Sequence, residues 1–330
     1  MGNLFRRQAG LWLGMIALVI GIAVFYDISS EAQSGKLMVD NERLRSHLHT
    51  LATKRYTNLA LARTRAYLTQ QLKTYGYEPI SQTFGAGNSA GTNLSIVRPG
   101  TQTPQQKILV GAHYDSVSGS PGADDNASGV ATALEIARIF ANYPTHKSLQ
   151  VVFFDQEEFQ PEGAGLVGSN AFVNNPANLD GLESSIILEM LGYACHEPGC
   201  QTYPPGLEQQ NLPTQGDFIG VLGDTDHLDL LATFATEIEN ESTAPTETTL
   251  QAVTLPVAIG ALPFMPDLFR SDHVPFWLKG IGAVMVSDTA DFRNPNYHQE
   301  SDTVESLDEV FLEQTANYIV ERVEKLLQGS

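Results

Sequence analysis

The sequence predicts a three-layer α/β fold, with a central, mostly parallel mixed sheet of about eight strands flanked by helices. Three observations carry that expectation. Strand-like and helix-like segments alternate from about residue 79 to the C-terminus. The apolar runs ILVGA (108–112), LQVVFF (149–154) and GAVMV (282–286) read as strands covered on both faces. The chain of 330 residues, 42% apolar and only 17% charged, holds enough core for one large domain and shows no solenoid-length repeat.

The elements follow in order. Leu44, Leu48 and Leu51, then Ala62, Ala66, Leu68 and Leu72, recur at mixed three and four spacing and predict helix within 37–76, closed by Gly76. Strands are expected at Pro79–Phe84, Asn93–Arg98, Lys107–Ala112, Leu149–Phe154, Ser185–Leu191, Phe218–Leu222, Gln251–Ile259 and Gly282–Ser287. Helices fit between them at Gly129–Tyr143 with Ser128 as cap, Ser169–Asn175, His227–Glu239 and Val274–Lys279, and Leu307–Leu327 closes the chain.

Residues 1–35 read as a separate segment ahead of a 36–330 domain. Arg6 and Arg7 precede LWLGMIALVIGIAVFY (Leu11–Tyr26), sixteen residues without a charge, and a polar stretch follows. This length suits a membrane anchor or the core of a cleaved signal, and the leading arginines place the domain outside the cytoplasm, anchored or secreted. In that compartment the two cysteines, Cys195 and Cys200, are expected to form a local disulfide. Charge excludes one class of partner: 19 Lys and Arg against 38 Asp and Glu give a formal net charge of −19, which repels nucleic acid.

In sheets of this kind ligands gather beyond the carboxyl ends of the strands, and those ends are rich in acids and histidines. The strand ending at Ala112 runs into His113 and Asp115, with Asp124 and Asp125 close behind. The strand ending at Phe154 runs into Asp155, Glu157 and Glu158, and the one ending at Ser287 leads to Tyr297 and His298. Glu189 is the most telling, because a carboxylate inside the apolar run IILEMLGY costs several kcal/mol (roughly) unless a cation faces it. Lys and Arg are scarce nearby, so a metal ion is the simplest partner.

The order HYDS, GADDNASGVATALEIAR, FFDQEEFQPEGAGLVGSNAF, RSDHVPFWLKGIGAVMVSD, NYHQESDTVESLD resembles the zinc-dependent metallopeptidases of family M28, which includes bacterial aminopeptidases and glutaminyl cyclases. It spans roughly residues 40–328. The resemblance implies two zinc ions, with His113 and Glu189 on one, Glu158 and His298 on the other, and Asp124 bridging both. It implies a peptide substrate and makes Glu157 the general base. One departure is Glu189, where the family more often has Asp. Around this set, Asp115 is placed to orient the His113 ring, Tyr297 to donate its hydroxyl to an oxyanion, and Asp272 with His273 to support the site without ligating. Asp125 is expected to shape the turn. Phe264, Met265, Phe269, Phe276 and Trp277 line a specificity pocket or fill core.

These features make an anchored or secreted aminopeptidase the leading expectation. A glutaminyl cyclase in the same fold and an anchored binding module without metal are the alternatives.

Overall fold

The computed structural model describes residues 36–87, 90–158, 165–207, 211–235 and 250–329. The expected membrane segment lies outside the described residues, as does the end of the helix expected at His227–Glu239. The chain divides into two units, Met1–Lys36 and Leu37–Ser330, and the described helices and strands all belong to the second. Among the described residues no helix is long and apolar enough to cross a membrane.

Two helices open the domain, α1 (Asn41–Leu51) and α2 (Asn58–Thr74). Each begins where a short polar side chain accepts an otherwise orphaned amide: Asp40 from Arg43 N and Thr57 from Ala60 N. All eight expected strands form: β1 (Ile80–Phe84), β2 (Gly91–Arg98), β3 (Thr103–His113), β4 (Lys147–Phe154), β5 (Leu182–Glu189), β6 (Phe218–Asp224), β7 (Gln251–Val257) and β8 (Gly282–Ser287). They make one sheet in the order β1-β2-β4-β3-β5-β8-β6-β7. Its centre, β4-β3-β5-β8, is parallel, whereas β1, β2 and β6 enter by antiparallel pairings.

The alternation of side chains along each strand divides the core into two layers. On β3, Ile108, Val110 and Ala112 join one cluster and Leu109 the other; on β4, Leu149, Val151 and Phe153 oppose Val152 and Phe154. The first face is covered by α1, α2, α3 (Gly129–Phe140), α6 (Leu228–Thr233) and α8 (Glu309–Gln328). The second is covered by α4 (Val167–Val173) and α7 (His273–Leu278), with Phe172, Phe276 and Trp277 at its centre. A short helix, α5 (Pro176–Leu179), was not anticipated; proline at its first turn and the Asn175 cap start it.

Ser128 corrects one expectation. It has helical backbone and makes no cap hydrogen bond. Its hydroxyl instead donates to the Asp124 carbonyl and accepts from Leu191 N. Asn126 does the capping, its Oδ1 accepting from Gly129 N at 3.1 Å. The expected disulfide joins Cys195 to Cys200.

Leu134 is wholly buried in α3 against the sheet, so Leu134→Ala should lower the unfolding free energy by about 2–5 kcal/mol. The exposed Leu59 should tolerate the same change within about 0.5 kcal/mol. Urea unfolding followed by circular dichroism checks both.

Candidate metal centre

The parallel strands end side by side, and their termini carry the chemistry. His113 is the last residue of β3, in register with Phe154 at the end of β4, and Glu189 is the last residue of β5. Beyond β4 the chain turns through Gln156 (φ 59°) to Glu157 and Glu158. Met190 (φ 50°), which follows Glu189, and His298 (φ 61°) are also left-handed. Such backbone costs about 1–3 kcal/mol per non-glycine residue and clusters where a site must aim side chains.

His113, Asp125 and Glu189 bring one donor atom each within 4.8 Å of one another; so do Asp125, Glu158 and His298. Asp125 belongs to both groups. Its Oδ1 lies 3.2 Å from His113 Nε2 and its Oδ2 lies 3.1 Å from His298 Nε2. The remaining carboxylates close each group, Glu189 Oε1 at 3.3 Å from His113 Nε2 and Glu158 Oε2 at 3.2 Å from His298 Nε2. Glu157 offers an oxygen within 4.8 Å of donor atoms of His113 and Glu158, and so stands beside both groups.

Asp124, expected to bridge, is not part of this convergence. Its carboxylate accepts from Gly192 N and Asn294 Nδ2, each at 2.8 Å, and lies against Asp288. The reason is local. Asp125 (φ −102°, ψ 89°) and Asn126 break the turn at 123–128 into non-helical backbone, where neighbouring side chains leave in different directions. Asp125, expected only to shape the turn, therefore takes the central place. Gly122 permits the approach: it is left-handed (φ 64°), and a Cβ there would collide with the Asp125 carbonyl oxygen.

Two carboxylates hold the loops by the same device. Asp115 accepts from Glu157 N at 3.1 Å through one oxygen and from Glu158 N at 3.2 Å through the other, with Oδ1 also 3.4 Å from His113 Nδ1. Asp302 does the same for Asp124 N (2.8 Å) and Asp125 N (3.2 Å). Each fixes a dipeptide that bears a central carboxylate. Sequence reasoning singled out Asp115 but missed Asp302, which nothing short of the three-dimensional contact marks. Ser271 was missed for the same reason; its hydroxyl donates to Glu189 Oε2 at 2.6 Å.

Asp272 is fully buried behind the cluster. Burial raises its pKa to about 7, with His113 opposing and Glu189 adding to the rise. His273, expected to support the site beside Asp272, instead bonds the Leu268 carbonyl at 3.1 Å and is held down to about 4 by burial. The Tyr297 ring stacks on His298 at 3.7 Å, and its hydroxyl accepts from Arg270 Nη2 at 2.9 Å. Burial keeps that phenol protonated far above its ordinary range, free to donate its own proton.

The charges do not balance. Burial pushes Glu157 well above the usual carboxylate range and Glu158 up to about 8, where Asp125 adds to the effect. Burial would lower His298, but Asp125 and Glu158 raise it to about 10; in His113, burial is likewise overcome by Glu189 and Glu157. Asp125 alone is depressed: burial would raise it, but the two imidazoles beside it outweigh that effect. Nδ1 of His113, Oε1 of Glu158 and Nε2 of His298 are buried without a well-formed hydrogen bond. Two imidazoles, four carboxylates and such unsatisfied atoms are what divalent cations require of a protein.

A cavity of about 460 Å³ opens beside Asp125, Glu157, Glu158, Glu189 and His298. Of the aromatic residues proposed for a pocket only Phe269 lines it; Phe276 and Trp277 are core, Phe264 is 81% exposed, and Met265 packs at the edge of the core.

The profile of peptidase family M28 matches residues 93–323. The chain is 33% identical over 211 residues to the Escherichia coli protein YfbL, covering 61% of each, and 33% identical over 120 residues to aminopeptidase YwaD of Bacillus subtilis, covering 36% of this chain and 25% of that protein. It thus spans less than two thirds of these relatives. Among solved structures it resembles a zinc aminopeptidase from Bacillus subtilis (16% identity, TM-score 0.65, 89% of this chain and 97% of the other). It also resembles the glutaminyl cyclase of Porphyromonas gingivalis (16% identity, TM-score 0.64, 88% and 100%). Both likenesses bear on the fold alone. With more than half of its length matched by the profile, the chain belongs to peptidase family M28.

Proposed function

We propose that the protein is a dizinc aminopeptidase, with His113 and Glu189 holding one ion, Glu158 and His298 the other, and Asp125 bridging them. The observation that carries this reading is the position of the Asp125 carboxylate, one oxygen facing each imidazole. Zinc bound there would polarise the scissile carbonyl and make water acidic enough to attack near neutral pH.

The chain's own groups supply the rest. Glu157, beside both groups and tied by its amide to Asp115, accepts a proton from the attacking water and returns it to the amine nitrogen as the C–N bond breaks. The Tyr297 hydroxyl donates to the carbonyl oxygen as negative charge builds there. Arg270, which donates to that hydroxyl, directs the phenolic proton away from itself.

Recognition of an amino rather than a carboxyl end follows from charge. Six acids line the cavity, Asp125, Glu157, Glu158, Glu189, Asp267 and Asp291. Its only Lys or Arg among the described lining residues is Arg270, which lies 3.1 Å from Asp291 and 3.5 Å from Asp267. With Asp125, Glu158 and Glu189 holding zinc, Glu157, Asp267 and Asp291 still outnumber Arg270, so a free α-ammonium suits this lining better than a terminal carboxylate. The arginine-led apolar segment Leu11–Tyr26 and the Cys195–Cys200 bond support a place outside the cytoplasm.

Asp125→Ala should reduce zinc content after dialysis far more than Asp124→Asn, as read by plasma emission spectrometry; the reverse order would return the bridging role to Asp124. Glu157→Gln should keep its zinc and lose about 10²–10⁴-fold in kcat on an aminoacyl amide. Loss of zinc in that variant would contradict the assigned role. In the same assay chelator and N-acetylation of the substrate should each abolish turnover, whereas ammonia release from an N-terminal Gln without loss of the residue would identify a cyclase.

A further inference from the structure

Residues 251–266 carry no Lys, Arg, Asp or Glu, although the chain as a whole holds 38 acids. They run through β7 and then through a loop, 258–266, that leads into the short 3₁₀ turn Pro266–Phe269 of the cavity wall. One side of the loop is held against the second core layer by Ile259, Ala261 and Met265. The other side faces out, with Leu262 44% and Phe264 81% exposed. Several exposed apolar residues elsewhere stand beside charge, Val310 after Glu309, Leu278 before Lys279 and Leu228 before Asp229, which is ordinary for a soluble surface. Leu262 and Phe264 have no such neighbour in the sequence.

The backbone of this loop needs no water. Ala261 N donates to Ala258 O at 2.8 Å, Leu262 N to Ile259 O at 3.4 Å, and Phe264 N and Met265 N both to Ala261 O at 2.9 Å. Pro263 and Pro266 have no amide hydrogen to satisfy. Every backbone donor from 261 to 266 is therefore engaged or absent, which is what a segment requires before hydrocarbon can replace its hydration.

The chain itself indicates what covers the loop. Residues 27–36 join the apolar segment 11–26 to Leu37 and span at most about 35 Å when extended. With that segment held in a bilayer, the domain stays within reach of the lipid surface. Burying one leucine or phenylalanine side chain shifts an equilibrium roughly tenfold to a hundredfold. That is too little to bind a free protein, but it suffices once a tether supplies an effective concentration of about millimolar. An acidic protein also approaches lipid most easily through its uncharged part. We propose that the 258–266 loop dips into the bilayer that segment 11–26 anchors, with Leu262 and Phe264 below the headgroups. Docking there keeps the cavity wall that follows the loop near the lipid surface. The inference rests on the anchor reading and is independent of the chemistry at the metal centre.

The test uses the full chain in phosphatidylcholine nanodiscs holding one chain each. Both cysteines are in the disulfide, so Leu262→Cys, Phe264→Cys and, as a control, Leu59→Cys on α2 over the opposite face of the sheet each offer a single free thiol for an environment-sensitive dye. Lipids brominated along their acyl chains should quench the dye at 262 and 264, at a depth of about 5–10 Å, and leave the dye at 59 unquenched. Adding Phe264→Asp, a change at an exposed side chain, should remove roughly half or more of the quenching at 262. No quenching at 262 and 264, equal quenching at all three positions, or quenching at 262 that Phe264→Asp leaves unchanged overturns the proposal. So does a dye shift that appears only when several chains share a vesicle, which marks contact with a second copy. A chain that lipid does not retain fails the anchor reading and the proposal together, whereas retention without quenching keeps the anchor and removes the loop from the bilayer.

Discussion

The structure depends on an unbalanced charge. Asp125, Glu157, Glu158 and Glu189 converge with two imidazoles, and the first three are almost fully buried. Burying acids without cations costs several kcal/mol per group (roughly), so the arrangement is sustained only by countercharge within bonding reach. The nearby arginines are committed elsewhere: Arg270 pairs with Asp291 and Asp267. Arg55, fully buried, gives its guanidinium to the backbone carbonyls of Leu51, Thr53, Tyr114, Pro121 and Gly122. It fixes the loop that delivers Asp125 through backbone carbonyls, which leaves the acids to the zinc that the family implies.

Rigidity around that position comes from carboxylates used as clamps. Asp115 and Asp302 each accept two successive amides, so the dipeptides at 157–158 and 124–125 are held by their backbones. The side chains of Glu157, Glu158 and Asp125 are thereby aimed without being consumed. Asp124 completes the frame from behind by tying Gly192 to Asn294. Left-handed backbone at Gln156, Met190 and His298 shows the same economy, since local strain there is offset by packing around a site that must point several side chains at one centre.

Much of this was legible in the sequence, and the reasons differ by level. Every central strand was visible because apolar runs covered on both faces leave an unbroken pattern, and the strand ends located His113, Glu157, Glu158 and Glu189 because a parallel sheet exposes those ends on one side. Glu189 stood out through the cost of its burial. The choice between Asp124 and Asp125 was not legible: adjacent identical residues differ only in backbone direction, which the break at Asp125 and Asn126 decides. Ser128 misled because a serine before a helix usually caps it, whereas here Asn126 does so and the hydroxyl bonds Leu191. Asp302 and Ser271 were invisible for want of any local pattern.

The fold is shared with aminopeptidases and with a glutaminyl cyclase, so the bridged pair of sites, rather than the architecture, is the distinguishing claim. Zinc-edge anomalous diffraction from crystals of the metal-loaded protein tests it most directly. The account predicts two peaks, one on each side of the Asp125 carboxylate, the first beside His113 and Glu189 and the second beside Glu158 and His298. A single peak, or density centred on Asp124, would contradict it.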